Sequence, residues 1–172
     1  MRVAVTGTPG TGKTTATERL ATGSGVDVDV VHLNDVIREE GFTTGRDEQR
    51  DTLVTDIDAV ADWLEGREDI LFESHLAHHF AADRVAVLRC HPEELEVRLR
   101  ERGEPEATVA ENAESEALDV VLAEAVERHG EDRVYEVDTT DCSPAEVTGA
   151  LEAILEGERD PGAGTVSFVD YL

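Results

Sequence analysis

The chain is almost empty of lysine: of 15 basic residues one is a lysine, and the rest, from Arg2 to Arg159, are arginines. Aromatic residues make up only 4% of the 172. No apolar run approaches the roughly 20 residues a helix needs to cross a bilayer, so no membrane span is expected. The two cysteines, Cys90 and Cys142, offer neither a disulfide framework nor a thiolate metal motif. They fit a reduced, cytoplasmic protein. The apolar start of the chain reads as a strand that runs into a loop, not as a leader peptide. Positive charge is scarce altogether. Forty acids leave a net charge of −25, spread along the chain rather than gathered in a tail. Such a surface argues against nucleic-acid contact, direct DNA binding included.

Two readings of that charge compete. An acidic protein can pair with a basic partner, or it can live in a salt-rich cytosol where repulsion is screened. At about 1 M salt the Debye length is only about 3 Å. Scattered acids, near-absent lysine and few aromatics favour the second, the cytoplasm of a halophile. The length suits one domain with a real core.

The single lysine stands in Gly7-Thr8-Pro9-Gly10-Thr11-Gly12-Lys13-Thr14, a complete G-x-x-x-x-G-K-T phosphate loop. Its setting is right, because Arg2–Thr6 reads as a buried strand and Thr14–Ala21 as a helix start. A strand that turns through glycines into a helix N-terminus aims backbone N–H groups and the helix dipole at phosphate oxygens. Lys13 adds a mobile cation, and the Thr14 hydroxyl is a candidate Mg²⁺ ligand. Gly10, Thr11, Gly12, Lys13, Thr14 and Thr15 are therefore the candidate ATP-binding set. Ras-type GTPases are excluded: their Asn-Lys-x-Asp guanine motif needs a second lysine.

Further strands are predicted at Val26–Leu33, Asp69–Glu73, Arg84–Arg89 and Arg133–Val137. A short helix follows Asn34 and Asp35, read as caps, and 41–45 is a loop. Asp47–Glu65 reads as one amphipathic helix, with Leu53, Ile57, Val60 and Leu64 on a face. Pro92–Arg102, Ala107–Arg128 and Pro144–Leu155 complete the helices, with a break at Gly103–Pro105. Strands alternating with helices predict an α/β P-loop NTPase fold, a five-stranded parallel sheet covered on both faces. The active rim lies at the C-terminal strand ends, which collects 7–15, 33–35, 73–75, Arg89 and 138–141.

On that rim Glu73 stands where a Walker B acid holds Mg²⁺. His75, two residues on, is a candidate contact to an acceptor or to a water. His78 and His79 lack well-spaced partners and read as structural or surface residues rather than metal ligands. Asp35 and Arg38 share a helix turn, and Arg38 could clamp an acceptor phosphate. Arg98 and Arg102 could close over the donor nucleotide, with Arg89 a further candidate. The tail 157–172 is Gly/Pro-rich and then apolar, and could dock on the body or on a partner.

The ordered set of residues 7–15, Asn34-Asp35-x-x-Arg38-Glu39-Glu40, Glu73-Ser74-His75, Val87-Leu88-Arg89, Arg98-Leu99-x-x-Arg102-Gly103 and Glu111-Asn112-x-x-Ser115-Glu116 resembles the adenylate kinase family. The similarity is greatest to its small type 6 (Fap7/CINAP-like) branch and runs to about Leu155. The resemblance implies an acceptor (NMP-binding) insert at 32–52 and a short lid at 101–112. It implies ATP contacts by Gly10, Gly12, Lys13, Thr14, Thr15 and Arg102, and an acceptor side at Arg38 and His75. Two departures stand out. The branch often shows Asp-x-His where this chain has Glu73-Ser74-His75, and the Gly-Phe-Pro-Arg segment of ordinary members is absent, which leaves a second acceptor-phosphate arginine unassigned.

The expected activity is phosphoryl transfer from Mg²⁺-bound ATP to AMP, with Lys13, Arg102 and Glu73 catalytic and Thr14 and Glu73 at the metal. The resemblance also implies ATPase activity in late maturation of the 30S ribosomal subunit, with ribosomal protein uS11 as partner. An assembly ATPase with incidental kinase activity is thus one alternative. A P-loop kinase of another small metabolite, such as shikimate, is a second.

Overall fold

The computed structural model describes residues 1–23 and 25–172. Its main sheet contains β1 (Arg2–Gly7), β2 (Asp29–His32), β5 (Ile70–Glu73), β6 (Arg84–Arg89) and β7 (Val134–Asp138), all parallel, in the order β2-β5-β1-β6-β7. The helices are α1 (Lys13–Gly23), α2 (Leu33–Glu40), α3 (Ile57–Leu64), α4 (Pro92–Glu101), α5 (Glu106–Ala117), α6 (Val120–His129) and α7 (Pro144–Glu156). A two-stranded antiparallel hairpin, β3 (Thr43–Asp47) with β4 (Thr52–Thr55), stands apart from the main sheet.

Successive strand residues face opposite sides of a sheet, and the core divides accordingly. Ala4, Phe72, Val85 and Val87 bury one face with Leu33, Ile37, Val60, Leu64 and Leu122. Val3, Val5, Leu71, Ala86 and Leu88 bury the other with Ala16, Leu20, Val147, Leu151 and Ile154. Strands covered on both faces read as continuous apolar runs, which is why they stood out. The chain turns to β2 and β5 on one side of β1 and to β6 and β7 on the other. The C-terminal end of β1 is therefore the switch point where such sheets place ligands, and it opens directly into the glycine loop.

Three expectations about the elements need correction. The helix expected over 47–65 is only its last half. Thr43, Thr44, Thr52, Val54 and Thr55 are β-branched and pair as a hairpin. Its turn is set by the Asp47 carboxylate, which accepts from the N–H groups of Gln49 and Arg50, and by Asp51 at φ 51°. Asp56 then caps α3, accepting from Ala59 N at 3.1 Å. Leu53, assigned above to a buried face, is 62% exposed. The hairpin also takes part of the loop expected at 41–45. Second, the helix expected over 107–128 is two, because Asp119 adopts φ 56° and separates α5 from α6. Third, β2 is shorter than expected and α2 begins at Leu33, so Asn34 and Asp35 lie inside the helix and cap nothing. The other two starts agree with expectation, since Pro92 opens α4 and Ser143 forms a capping box with Glu146 at α7.

Candidate active site

Steric demand shapes the loop after β1. A Cβ on Gly10 would lie 2.9 Å from Leu95 Cδ1 and 3.0 Å from Leu99 Cδ2, so only glycine lets α4 pack beneath the loop. Gly12 has φ 93° with open space beside it. α1 then starts at Lys13 with no acid in its first turn, so its unpaired N–H groups and positive dipole end face a free concavity. That concavity is a cleft of about 700 Å³, lined by residues 9–15 with Asn34, Glu73, His75, Arg98, Glu101, Arg102 and Thr139 and, on the far wall, Cys142, Pro144 and Val147.

Within the cleft Lys13 is buried, and its Nζ donates to the carbonyls of Gly7 (2.9 Å) and Thr8 (3.1 Å). Burial pushes its pKa down to about 8, with the Arg102 charge adding to the fall and Glu73 and Glu116 opposing it. The ammonium is still charged at neutral pH. Parallel register brings Val5 and His32 level with Glu73. The Thr14 hydroxyl donates to Glu73 Oε1 at 3.1 Å, and His32 Nδ1 lies 2.8 Å from the same oxygen. A hydroxyl beside a carboxylate is an oxygen donor pair that fits a hard cation such as Mg²⁺. His75 lines the cleft and is exposed at its mouth. The protein packed around its ring, then the charge of Lys13, push its imidazole down to about 4, so it is neutral at pH 7.

Arg102 is exposed and lines the cleft. Arg98 instead braces the loop from below, donating to Gly10 O at 3.3 Å and Thr139 O at 3.2 Å while paired with Glu94. Asp35 and Arg38 bond to each other on exposed α2, and neither lines the cleft. Asn34, their neighbour, does line it and accepts from the Ser74 hydroxyl at 3.0 Å.

Arg89 needs a correction. Its backbone reaches the rim, but its side chain is 1% exposed and turned inward onto Glu116, Asp119 and Glu136. A cation so enclosed by carboxylates holds its place in the core and is not available to a nucleotide. His78 and His79 were expected to lack partners for a metal, yet the structure gathers His78, His79 and Glu124 with their ligand atoms within 4.8 Å of one another. His78 is buried, with Nδ1 2.7 Å from the Thr6 hydroxyl and Nε2 2.8 Å from Glu124, so both ring nitrogens are engaged. Both cysteines are free thiols, and burial pushes Cys90 up to about 12.

The strand-end rule places positions 33–35 and 138–141 on the rim and Glu116 stands in the family motif, but sequence reasoning assigns no site role to His32, Asn34, Thr139 or Glu116. The Thr139 hydroxyl donates to the carbonyls of Arg89 and Thr11. Glu116 is a buried acid on a helix in an acid-rich chain, and nothing in the local pattern separates it from solvated neighbours. No helix among the described residues is long and apolar enough to cross a membrane.

Comparison with known proteins agrees with this geometry. Residues 3–119 match the AAA domain family AAA_18. A protein of Natronomonas pharaonis named "Putative adenylate kinase" is 62% identical over 172 residues, covering all of both chains. Proteins of the same name from Halobacterium salinarum (56%, all of both chains) and Methanothermobacter thermautotrophicus (45%, 99% of this chain and 98% of that one) follow. Among solved structures, a deoxyadenosine kinase from M. mycoides with bound dATP superposes with TM-score 0.59 at 15% identity, covering 91% of this chain and 100% of that one. A shikimate kinase from Bacteroides thetaiotaomicron gives 0.60 at 17%, covering 91% and 98%. At such identities the likeness shows the fold, that of the P-loop kinases.

Proposed function

The chain belongs to the archaeal family whose members are named putative adenylate kinase, and from that premise we propose that it transfers the terminal phosphoryl group of ATP to AMP. The observation that supports this most is the juxtaposition of Lys13, Thr14 and Glu73 in one cleft, with Arg102 on one side and Asn34 and His75 on the other. A cleft of about 700 Å³ around one phosphate loop suits two nucleotides meeting end to end.

The residues divide the work by charge. N–H groups of the loop and of the α1 terminus bind the donor phosphates, helped by Thr15. Lys13, drawn off the Gly7 and Thr8 carbonyls, and Arg102 neutralise the charge that spreads over the transferred group. Thr14 and Glu73 are the residues that would hold Mg²⁺, which when bound supplies charge neutralisation between the phosphates. No strong general base is needed, since the acceptor phosphate is already an anionic nucleophile. His75, neutral at pH 7, offers a hydrogen bond without adding charge. The insert 32–52 and the lid 101–112 are the parts that would close and exclude water. Asp35 and Arg38 would reach the acceptor phosphate on such closure.

The charge of −25 suits an enzyme that works in a salt-rich cytosol, where self-repulsion is screened. The same charge favours a second reading, an ATPase that acts on a basic partner such as ribosomal protein uS11 during 30S maturation. Initial rates in molar KCl with a panel of acceptors decide among these. AMP should be the best of the monophosphates, with shikimate inert. ATP turnover indifferent to every monophosphate would overturn the kinase reading.

A further inference from the structure

The C-terminal segment 157–172, unused by the chemistry above, is built into the body. Gly157 ends α7 at φ 74°, and the chain then runs beside β7. There Gly162 N donates to Val134 O at 2.8 Å, and Glu136 N donates to Gly162 O at 3.0 Å. The buried Glu136 carboxylate is shared between this segment and the core. Its Oε2 accepts from Thr165 N (2.8 Å), Thr165 Oγ1 (3.0 Å) and Val166 N (3.3 Å). Its Oε1 accepts from Arg89 at 2.7 Å.

From Arg89 the chain of bonds continues to the phosphate loop. Arg89 Nε donates to Glu116 Oε1 at 2.8 Å, and Glu116 Oε2 accepts from the Thr8 hydroxyl at 2.6 Å. Arg89, Glu116 and Glu136 are each 5% exposed or less. In so dry a setting, an unpaired member costs more than the bond it lost, so each link holds its neighbours to one geometry. A second route runs through α4. Phe168 is buried with its ring 5.3 Å from the Arg89 guanidinium and edge-on to His91, the N-cap of α4. The Tyr171 hydroxyl donates to Glu96 on the same helix. α4 in turn packs Leu95 and Leu99 under Gly10 and aims Arg98 at the Gly10 carbonyl.

We propose that segment 157–172 is a positioning element of the donor site. Docked on Glu136 and α4, it fixes a buried relay, Glu136–Arg89–Glu116, that holds the phosphate loop at Thr8. Affinity for ATP then depends on residues that never touch it. The inference rests on the donor-site reading given above.

The experiment measures dissociation constants for the imido analogue of ATP and for AMP, by titration calorimetry in molar KCl with Mg²⁺. Wild type is compared with Thr8→Val, Phe168→Ala, Tyr171→Phe and the double variant Thr8→Val/Phe168→Ala. Loss of one hydrogen bond in such a relay should weaken ATP-analogue binding about 10-fold for Thr8→Val, and about 3-fold for Tyr171→Phe. AMP affinity should stay within about 2-fold of wild type in both tail variants. Thr8 and Phe168 share no contact, so independent effects would multiply. The relay instead predicts that the double variant binds within about 2-fold of Thr8→Val alone. Wild-type affinity in both tail variants, or effects that multiply, would overturn the proposal while leaving the donor site standing. A wild-type chain that binds no ATP analogue would overturn the donor-site reading and this inference together. If Phe168→Ala does not fold, Tyr171→Phe, which loses one oxygen, decides.

Discussion

Lys13 should cost the folded chain stability, and removing it should make the protein firmer as it becomes inactive. Its ammonium is buried, and its pKa falls from 10.5 to about 8. A fall of that size corresponds to about 3 kcal/mol against folding while the group is charged. The sign follows from proton counting. Between about pH 8 and 10.5 the unfolded chain holds the proton and the folded chain has released it, so stability rises with pH across that window. Lys13→Met removes the charge but also the bonds from Nζ to the Gly7 and Thr8 carbonyls, the latter keeping its bonds from Thr11 N and Oγ1, which returns about 1–2 kcal/mol. The net expectation at pH 7 is a variant more stable by about 1–2 kcal/mol, which for a chain this long raises Tm by about 3–6 °C.

The assay is scanning calorimetry without nucleotide in molar KCl, at pH 7 and at steps to 10.5. Since the chain has one lysine, no other ammonium side chain titrates there. Cysteine and tyrosine contributions are common to both proteins and cancel in the difference. The gap between variant and wild type should close, and then reverse, as pH passes 8. A variant less stable than wild type at pH 7, or a gap independent of pH, would refute the reasoning.

Other expectations follow from single contacts. Arg89→Met should strand the buried carboxylates of Glu116 and Glu136, costing about 3–5 kcal/mol and lowering Tm by about 8–15 °C in the same calorimeter. Gly10→Ala places a Cβ 2.9 Å from Leu95 at φ 92°, and should weaken ATP binding about 10-fold or more by titration. His75, with its pKa near 4, should show an NMR titration midpoint well below that of free imidazole. Its depressed folded value also means that stability linked to this ring falls as pH drops from about 6.5 toward 4.

Much of this was legible in the sequence because the signals were dense. The glycine loop needs one residue type at each of several positions, so Gly7–Thr14 declares both its geometry and its ligand class. Doubly covered stretches such as Val85-Ala86-Val87-Leu88 are apolar throughout and are readable as runs. Residues 47–65 misled for a physical reason. Leu53, Ile57, Val60 and Leu64 keep helical spacing, yet Leu53 belongs to a hairpin whose β-branched threonines and Asx turn outweigh one apolar position. The Asp119 break was hidden because a left-handed residue costs an aspartate little and leaves the apolar pattern almost unbroken. Arg89 and Glu116 were illegible as core residues, since burial of a charge depends on partners that are 27 or more positions away. Asp35 and Arg38 were expected at the cleft, but both lie on the exposed side of α2 and bond to each other, a side-chain direction that the strand-end rule does not fix.

The central claim is that the Lys13 cleft moves a phosphoryl group between two nucleotides. It is tested most directly by product balance in molar KCl with Mg²⁺, following ADP and free phosphate formed from ATP with and without AMP, for wild type and Lys13→Met. The account predicts two ADP per AMP consumed with little free phosphate, and a loss of about 10²–10³-fold in turnover for the variant. Phosphate release that ignores AMP, or a variant that turns over like wild type, would contradict it.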